Sequence, residues 1–364
     1  MTVSLWGVRP RPRPGEAITS WLARIAHARG KLPFQLIQEL SLGLQFWNRD
    51  GDLCRSNALV TALSRRTGVA EEDVMTTTLG SLEGVLDEQI DGVRQSFQIR
   101  PLGIYHRTRR AHGQQYCPAC LAEDVPYFRL IWRLTLFPTC TRHGVVLRDE
   151  CPSCAAPVVP HRAALTRCHE CHGDLRAVIA TEANASVLQL QRQGELVLGG
   201  AAVTWPGMTG MHPITFFAIQ LHLLARLIST GRAGRLRSQV AGASPAPTPD
   251  CRGAKAHPRY LSSSSAHDQL VLVERLLRGW PMSLVGHCLE ADVFWSWMLG
   301  DERSRAIPFA LREACATYLT PGSARRVLLR ARTTAAAGIE RAGAARSLGS
   351  RDARASGSGS PIRA

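Results

Sequence analysis

Four pairs of metal-type ligands follow one another in the 364-residue chain: Cys117 and Cys120, Cys140 and His143, Cys151 and Cys154, Cys168 and Cys171. Two residues separate the members of each pair, so one tight turn can aim both side chains at a single ion. Four such ligands close the tetrahedral shell that zinc prefers. Pro118 and Pro152 suit those turns. Eight ligands predict two zinc ions. The simplest partition is sequential, Cys117, Cys120, Cys140 and His143 on one ion and Cys151, Cys154, Cys168 and Cys171 on the other; an interleaved cross-brace stays open. Protein groups fill both shells and leave no position for water or substrate, so the metals read as structural. His169 and His172 flank the last pair as solvent-facing or outer groups.

The same search for chemistry finds no H-x-E partner of a deaminase and no H-E-x-x-H of a metalloprotease. Nor is there a glycine-rich phosphate loop or a Gly-x-Ser-x-Gly elbow. An enzyme is not expected. The formal net charge is +15, from 44 Lys and Arg against 29 Asp and Glu, and a surface that basic usually meets a polyanion. Seven thiolates and two zinc ions would lower it to about +12. Nine Arg against Glu340 and Asp352 place about +7 of the total in residues 323–364, a segment of Ala, Gly, Ser and Arg whose composition predicts disorder. Residues 1–14 lack the apolar core of a secretory signal, and eleven cysteines fit metal ligands or buried thiols of a reducing compartment. A cytoplasmic protein is expected. The most apolar stretch, residues 213–228, is interrupted by Gln220, His222 and Arg226 and reads as an amphipathic core helix rather than a membrane span.

The elements that must position the ligands are mainly helical. Ile18, Trp21, Leu22 and Ile25 recur at helical spacing, and further helices are expected from Pro33, over 58–66 and over 71–79. Gly68 breaks the last two apart in helix-turn-helix proportions. Helical periodicity returns at 183–194, at 213–228, at Leu270, Val273, Leu276 and Leu277, and at 284–298. The expected organisation is an N-terminal helical domain at 1–112, a double zinc-binding region at 113–180, a helical domain at 181–241, a linker at 242–266, a C-terminal helical unit at 267–321 and a basic tail at 322–364.

The string from Tyr116 through Cys120 to Asp124, then Pro126 to Leu134 with Trp132 and Arg133, then Cys140 to Gly144 and Cys151 to Cys154, resembles the core of the TniQ/TnsD family. Pro14-Gly15-Glu16 followed by Ser20-Trp21-Leu22-Ala23-Arg24 is similar to that family's opening, and residues 276–281 resemble its later helical region. The resemblance implies a transposition accessory factor that takes part in target-site selection and connects target DNA to a transposon AAA+ ATPase and a separate transposase. A homodimer is compatible with the sequence. The runner-up class is a sequence-specific, zinc-containing transcriptional regulator.

DNA contact is expected from Arg100, Arg107, Arg109 and Arg110, just before the first knuckle, and from Arg9, Arg11 and Arg13, because such clusters neutralise phosphates without reading sequence. The helix-turn-helix-like segment is a poorer reader. Its second helix opens with Glu71, Glu72 and Asp73, which suit a helix N-terminus but repel a phosphate backbone. Trp132 is expected to plug the zinc lobe against the helices.

Overall fold

The computed structural model describes residues 4–90, 96–105, 108–252, 256–300 and 307–320; Arg107 and the basic tail at 322–364 lie outside them. The described residues are mainly helical, with twelve α-helices and two small antiparallel ribbons. In the N-terminal module, α1 (Ile18–Ala28) buries Ile18, Trp21, Leu22 and Ile25. It packs on Leu36 and Ile37 of α2 (Pro33–Gln38), Leu59 and Leu63 of α3 (Asn57–Thr67), and Val74 of α4 (Glu71–Met75). The Ser56 hydroxyl accepts from the Leu59 amide to start α3, and Gly68 ends it. The second helix of this pair is shorter than its periodicity predicts. After Met75 the hydroxyls of Thr77 and Thr78 bond back to the Val74 and Met75 carbonyls, and the Thr77 carbonyl accepts from the Ile18 amide, so the chain leaves the helix to meet α1.

The central region is built from short pieces: β1 (Ile104–Tyr105) paired with β2 (Thr108–Arg109), α5 (Pro118–Leu121), and β3 (Thr139–Cys140) paired with β4 (Val145–Val146). Beyond it, α6 (Ala185–Leu198), α7 (Pro213–Leu227), α8 (Ala233–Ala241), α9 (Ser263–Leu277), α10 (Met282–Glu290), α11 (Trp295–Leu299) and α12 (Phe309–Tyr318) follow among the described residues. Helix α9 is the hub, touching α6, α7, α8 and α10. Its buried Leu270, Val273, Leu276 and Leu277 share one core with Phe216, Phe217 and Leu224 of α7 and Leu311 of α12.

Helices on the two sides of residues 242–266 thus pack together, and the end of that stretch is itself helical. The Ser262 hydroxyl accepts from the Ser265 amide, so the serine run that reads as linker is the capped start of α9. Ser263 ties this start to the central region: its amide donates to Asp149 Oδ2 at 3.1 Å and its hydroxyl to Gln115 Oε1 at 2.8 Å. Among the described residues no helix is long and apolar enough to cross a membrane.

Candidate metal centres

The eight ligand-type residues gather into two groups in the sequential order, Cys117, Cys120, Cys140 and His143, and Cys151, Cys154, Cys168 and Cys171, with the ligand atoms of each group within 4.8 Å of one another. In the first group His143 Nδ1 lies 3.6, 3.2 and 3.6 Å from the sulfurs of Cys117, Cys120 and Cys140, and Cys120 and Cys140 Sγ are 3.6 Å apart. In the second, Cys151 and Cys171 Sγ are separated by 3.6 Å and Cys154 and Cys168 Sγ by 3.7 Å. A tetrahedron with metal–sulfur bonds of about 2.3 Å holds its sulfurs about 3.8 Å apart, so both donor sets fit a closed tetrahedral ion. Within the first group, hydrogen bonds to Cys117 and Cys120 hold the Cys140 thiol far below its ordinary range, and those to Cys117 and Cys140 hold Cys120 far above it.

One backbone device builds all four pairs. The residue following each second ligand donates its amide to the carbonyl of the first: Leu121 to Cys117 at 3.1 Å, Gly144 to Cys140 at 2.8 Å, Ala155 to Cys151 at 2.9 Å and His172 to Cys168 at 3.1 Å. At Cys117 the turn is the first turn of α5, with Pro118 at its opening position. In the other three the closing residue is left-handed, with φ of 66° at Gly144, 57° at Ala155 and 56° at His172. Amides also point at the sulfurs, from Cys120 to Cys117, Ser153 to Cys151 and Glu170 to Cys168, each at 3.4 Å, and such bonds favour thiolates. His169 and His172 stand outside both groups. His169 Nε2 lies 3.1 Å from Glu170 Oε1.

Long-range ion pairs lock this region to its neighbours. Arg133, 0% exposed, binds Asp50 at 2.6 Å and Asp52 at 2.8 Å, while Asp52 also accepts from the amide and hydroxyl of Thr19 in α1. Burial alone would raise the Asp50 pKa, but the charge and hydrogen bonds of Arg133 outweigh it and the carboxyl is held below 3.8. Glu16, also buried, accepts from Arg24 Nη2 at 2.6 Å, from the Ser20 hydroxyl and from the Arg13 amide, and Ser20 Oγ accepts from the Phe128 amide. The opening residues Pro14-Gly15-Glu16 and Ser20 to Arg24 are therefore the joint between α1 and the metal region. Trp132 is buried against Phe128, edge to face at 6.0 Å, in a cluster that also holds Tyr116, Ala23 of α1 and the first-group cysteines.

The residues expected to meet DNA fall in different environments. Arg9, Arg11 and Arg13 are exposed on alternate residues with Pro10 and Pro12 turned partly inward. The segment is pinned, since Trp21 Nε1 donates to the Pro10 carbonyl and Arg24 Nη2 to that of Arg11. Arg110 is exposed and lies over the Tyr105 ring at 4.4 Å. Arg109 is half-buried; burial, with Arg133 close by, lowers its pKa to about 10. Arg100 departs from the expectation. It is 1% exposed and paired with Asp149 at 2.9 Å, out of reach of a phosphate. Glu71, Glu72 and Asp73 are exposed in the single turn of α4.

Sequence reasoning passed over Glu123. Its Oε1 lies 3.4 Å from His143 Nε2, and Arg142 Nη1 holds its Oε2 at 3.1 Å, so a carboxylate stands behind the imidazole ligand. These three residues line an open cleft with Arg13, Tyr127 and Arg129. Only folding brings the N-terminal segment to this wall, and no spacing along the chain signals it.

A helical module is thus locked by buried ion pairs to ribbons that carry two compact cysteine-rich groups, each able to hold a metal ion. Residues 8–147 match the TniQ family model, in agreement with the resemblance read from the sequence. A TniQ domain implies an accessory protein of transposition. The match takes in the first ligand group and ends before Cys151. No curated protein matches the chain.

Proposed function

We propose that the protein is a non-catalytic cytoplasmic adaptor of DNA transposition that links target DNA to a transposon AAA+ ATPase and its transposase. The observation that carries the reading is the TniQ match over residues 8–147. Cys117, Cys120, Cys140 and His143 hold one structural zinc, and Cys151, Cys154, Cys168 and Cys171 the other. Zinc supplies folding energy at such sites; four protein ligands leave it no coordination position for substrate. Arg9, Arg11, Arg13 and Arg110, with the half-buried Arg109, form the DNA-contacting set, which grips phosphates and leaves sequence unread. The carboxylates at the start of α4 disfavour that helix as a reader of the major groove and suit a protein-facing role.

Capture of the neighbouring transposon ATPase by the purified protein, with and without target DNA, tests the reading. The adaptor binds DNA weakly and captures the ATPase. Tight binding of one DNA sequence with no ATPase captured under either condition would favour the regulator instead. Metal analysis is a separate test of the ligand assignment, with about two zinc ions per chain expected and chelation melting the central region.

A further inference from the structure

The second ligand group presents thiols to solvent where the first does not. Cys154 and Cys171 are exposed, whereas Cys117, Cys120 and Cys140 are all buried. Each exposed thiol stands beside a buried one of the other knuckle: Cys171 Sγ lies 3.6 Å from Cys151 Sγ, and Cys154 Sγ lies 3.7 Å from Cys168 Sγ. A glycine leaves room beside one of the exposed sulfurs, since a Cβ at Gly173 would stand 3.2 Å from Cys171 Sγ and 2.9 Å from Ser153 Oγ. A zinc ion holds its cysteines deprotonated in either group. Oxidation of cysteine follows thiolate character and exposure, so exposure is what sets the two groups apart.

We propose that Cys154 and Cys171 are an oxidation site for hydrogen peroxide, at which the second group gives up its zinc and closes two disulfides. The zinc in this step is the second ion of the proposed function, and the step rests on that assignment. The exposed Cys171 thiolate attacks one peroxide oxygen, the O–O bond breaks, hydroxide leaves and a sulfenic acid forms. The Cys151 thiolate, 3.6 Å away, attacks the sulfenic sulfur and displaces a second hydroxide. Cys154 and its neighbour Cys168 follow the same course. Four thiolates and two peroxides thus become two disulfides and four hydroxides; sulfur is oxidised, peroxide oxygen is reduced, and Zn²⁺ leaves with its charge unchanged. Both disulfides tie one knuckle of the lobe to the other, so a covalent staple replaces the metal. In the first group every sulfur is buried and the fourth ligand is the His143 imidazole, so no exposed thiolate starts the sequence.

The test uses the full chain as purified with zinc. Metal analysis comes first, with about two ions per chain expected. Fewer than two overturns the zinc assignment and the oxidation site with it, whereas two ions that both survive peroxide overturn the oxidation site alone. Hydrogen peroxide is then added beside a chromogenic chelator, against the same protein without peroxide, and the cysteines are mapped by mass spectrometry. Loss of one zinc ion and retention of the other is expected, with Cys151 joined to Cys171 and Cys154 to Cys168, with Cys117, Cys120 and Cys140 still thiols, and with zinc uptake restored by dithiothreitol. Cys171→Ser, which starts with the first ion only, is expected to release none. Release of both ions together, disulfides formed within a knuckle, or zinc released by peroxide from Cys171→Ser would each overturn the proposal. Should that variant fail to fold, the cysteine map of the unaltered protein decides, because it shows which ligand group was oxidised.

Discussion

The two ligand groups use the same turn, yet they stand differently toward the rest of the molecule. All three cysteines of the first are buried, and their cluster includes Tyr116, Phe128 and Trp132, with Ala23 of α1. Its hairpin also reaches α6, where Glu195 accepts from the Thr141 hydroxyl at 2.6 Å. In the second group Cys154 and Cys171 are exposed, while Cys151 and Cys168 are buried and belong, with Val158, Leu165 and Leu175, to that same cluster. With two of its four ligands open to solvent, the second lobe would use a metal as a local staple. The first ligand group sits where the N-terminal module, the ribbons and α6 meet. Ligand chemistry alone does not say on which of the two candidate metal sites the fold depends; the packing around the ligands does.

The largest expected effect is at the first site. Structural zinc contributes about 10–16 kcal/mol of apparent binding energy in small domains, as much as or more than the roughly 5–15 kcal/mol net stability of a whole protein. Cys120→Ser should therefore yield aggregated or unfolded protein, read by circular dichroism and loss of a cooperative melt. Cys171→Ser should lose one zinc by metal analysis and open residues 151–177 to proteolysis while the main transition persists. A Cys171→Ser protein that unfolds throughout would erase the contrast between the sites.

Next in size is the ion cluster joining the first lobe to the N-terminal module. Arg133→Met leaves Asp50 and Asp52 without their cation, at a cost of about 3–5 kcal/mol. The pH dependence should also change sign. With its pKa held below 3.8, Asp50 stabilises the native protein above that value, and the contribution is lost as pH falls through the folded-state pKa. Without Arg133, burial is opposed only by the more distant Arg109 and a backbone hydrogen bond, and it is expected to raise the carboxyl, so stability is lost as pH rises. Between about pH 4 and 7 the variant should gain stability on acidification. Denaturant melts across this range give the slope, and parallel curves for the two proteins would show that Arg133 does not set it.

What was legible in the sequence was local. The four knuckles and the apolar stripes of α1 and α7 lie within a few residues, so spacing reveals them. The anchors join distant residues. Arg133 and Asp52 stand 81 residues apart, and Arg100 and Asp149 are separated by 49, so Arg100 read as a phosphate contact although its charge is spent inside the protein. Cap chemistry was hidden by composition as well: the serines opening α9 resemble a linker until Ser262 accepts from the Ser265 amide. At residues 71–79 periodicity promised a longer helix, but threonine hydroxyls and a bond to α1 ended it at Met75.

The smallest expected effect compares the same turn position in the two lobes. Gly144 closes the Cys140 turn at φ 66°, and a Cβ there would come no closer than 3.9 Å to Leu188 Cδ1. Ala155 closes the Cys151 turn at φ 57° while carrying a Cβ. An L-residue in this conformation costs about 1–2 kcal/mol relative to its preferred regions, and glycine avoids most of that while losing some chain entropy. Ala155→Gly should therefore stabilise the second lobe by about 0.5–1 kcal/mol, and Gly144→Ala should weaken the first by a similar amount. Competition with a chromogenic chelator measures both as up to about fivefold changes in zinc affinity, tighter for Ala155→Gly and weaker for Gly144→Ala. Changes of the same sign in the two variants would mean that the surroundings of each lobe, rather than the shared left-handed turn, control how firmly its ion is held.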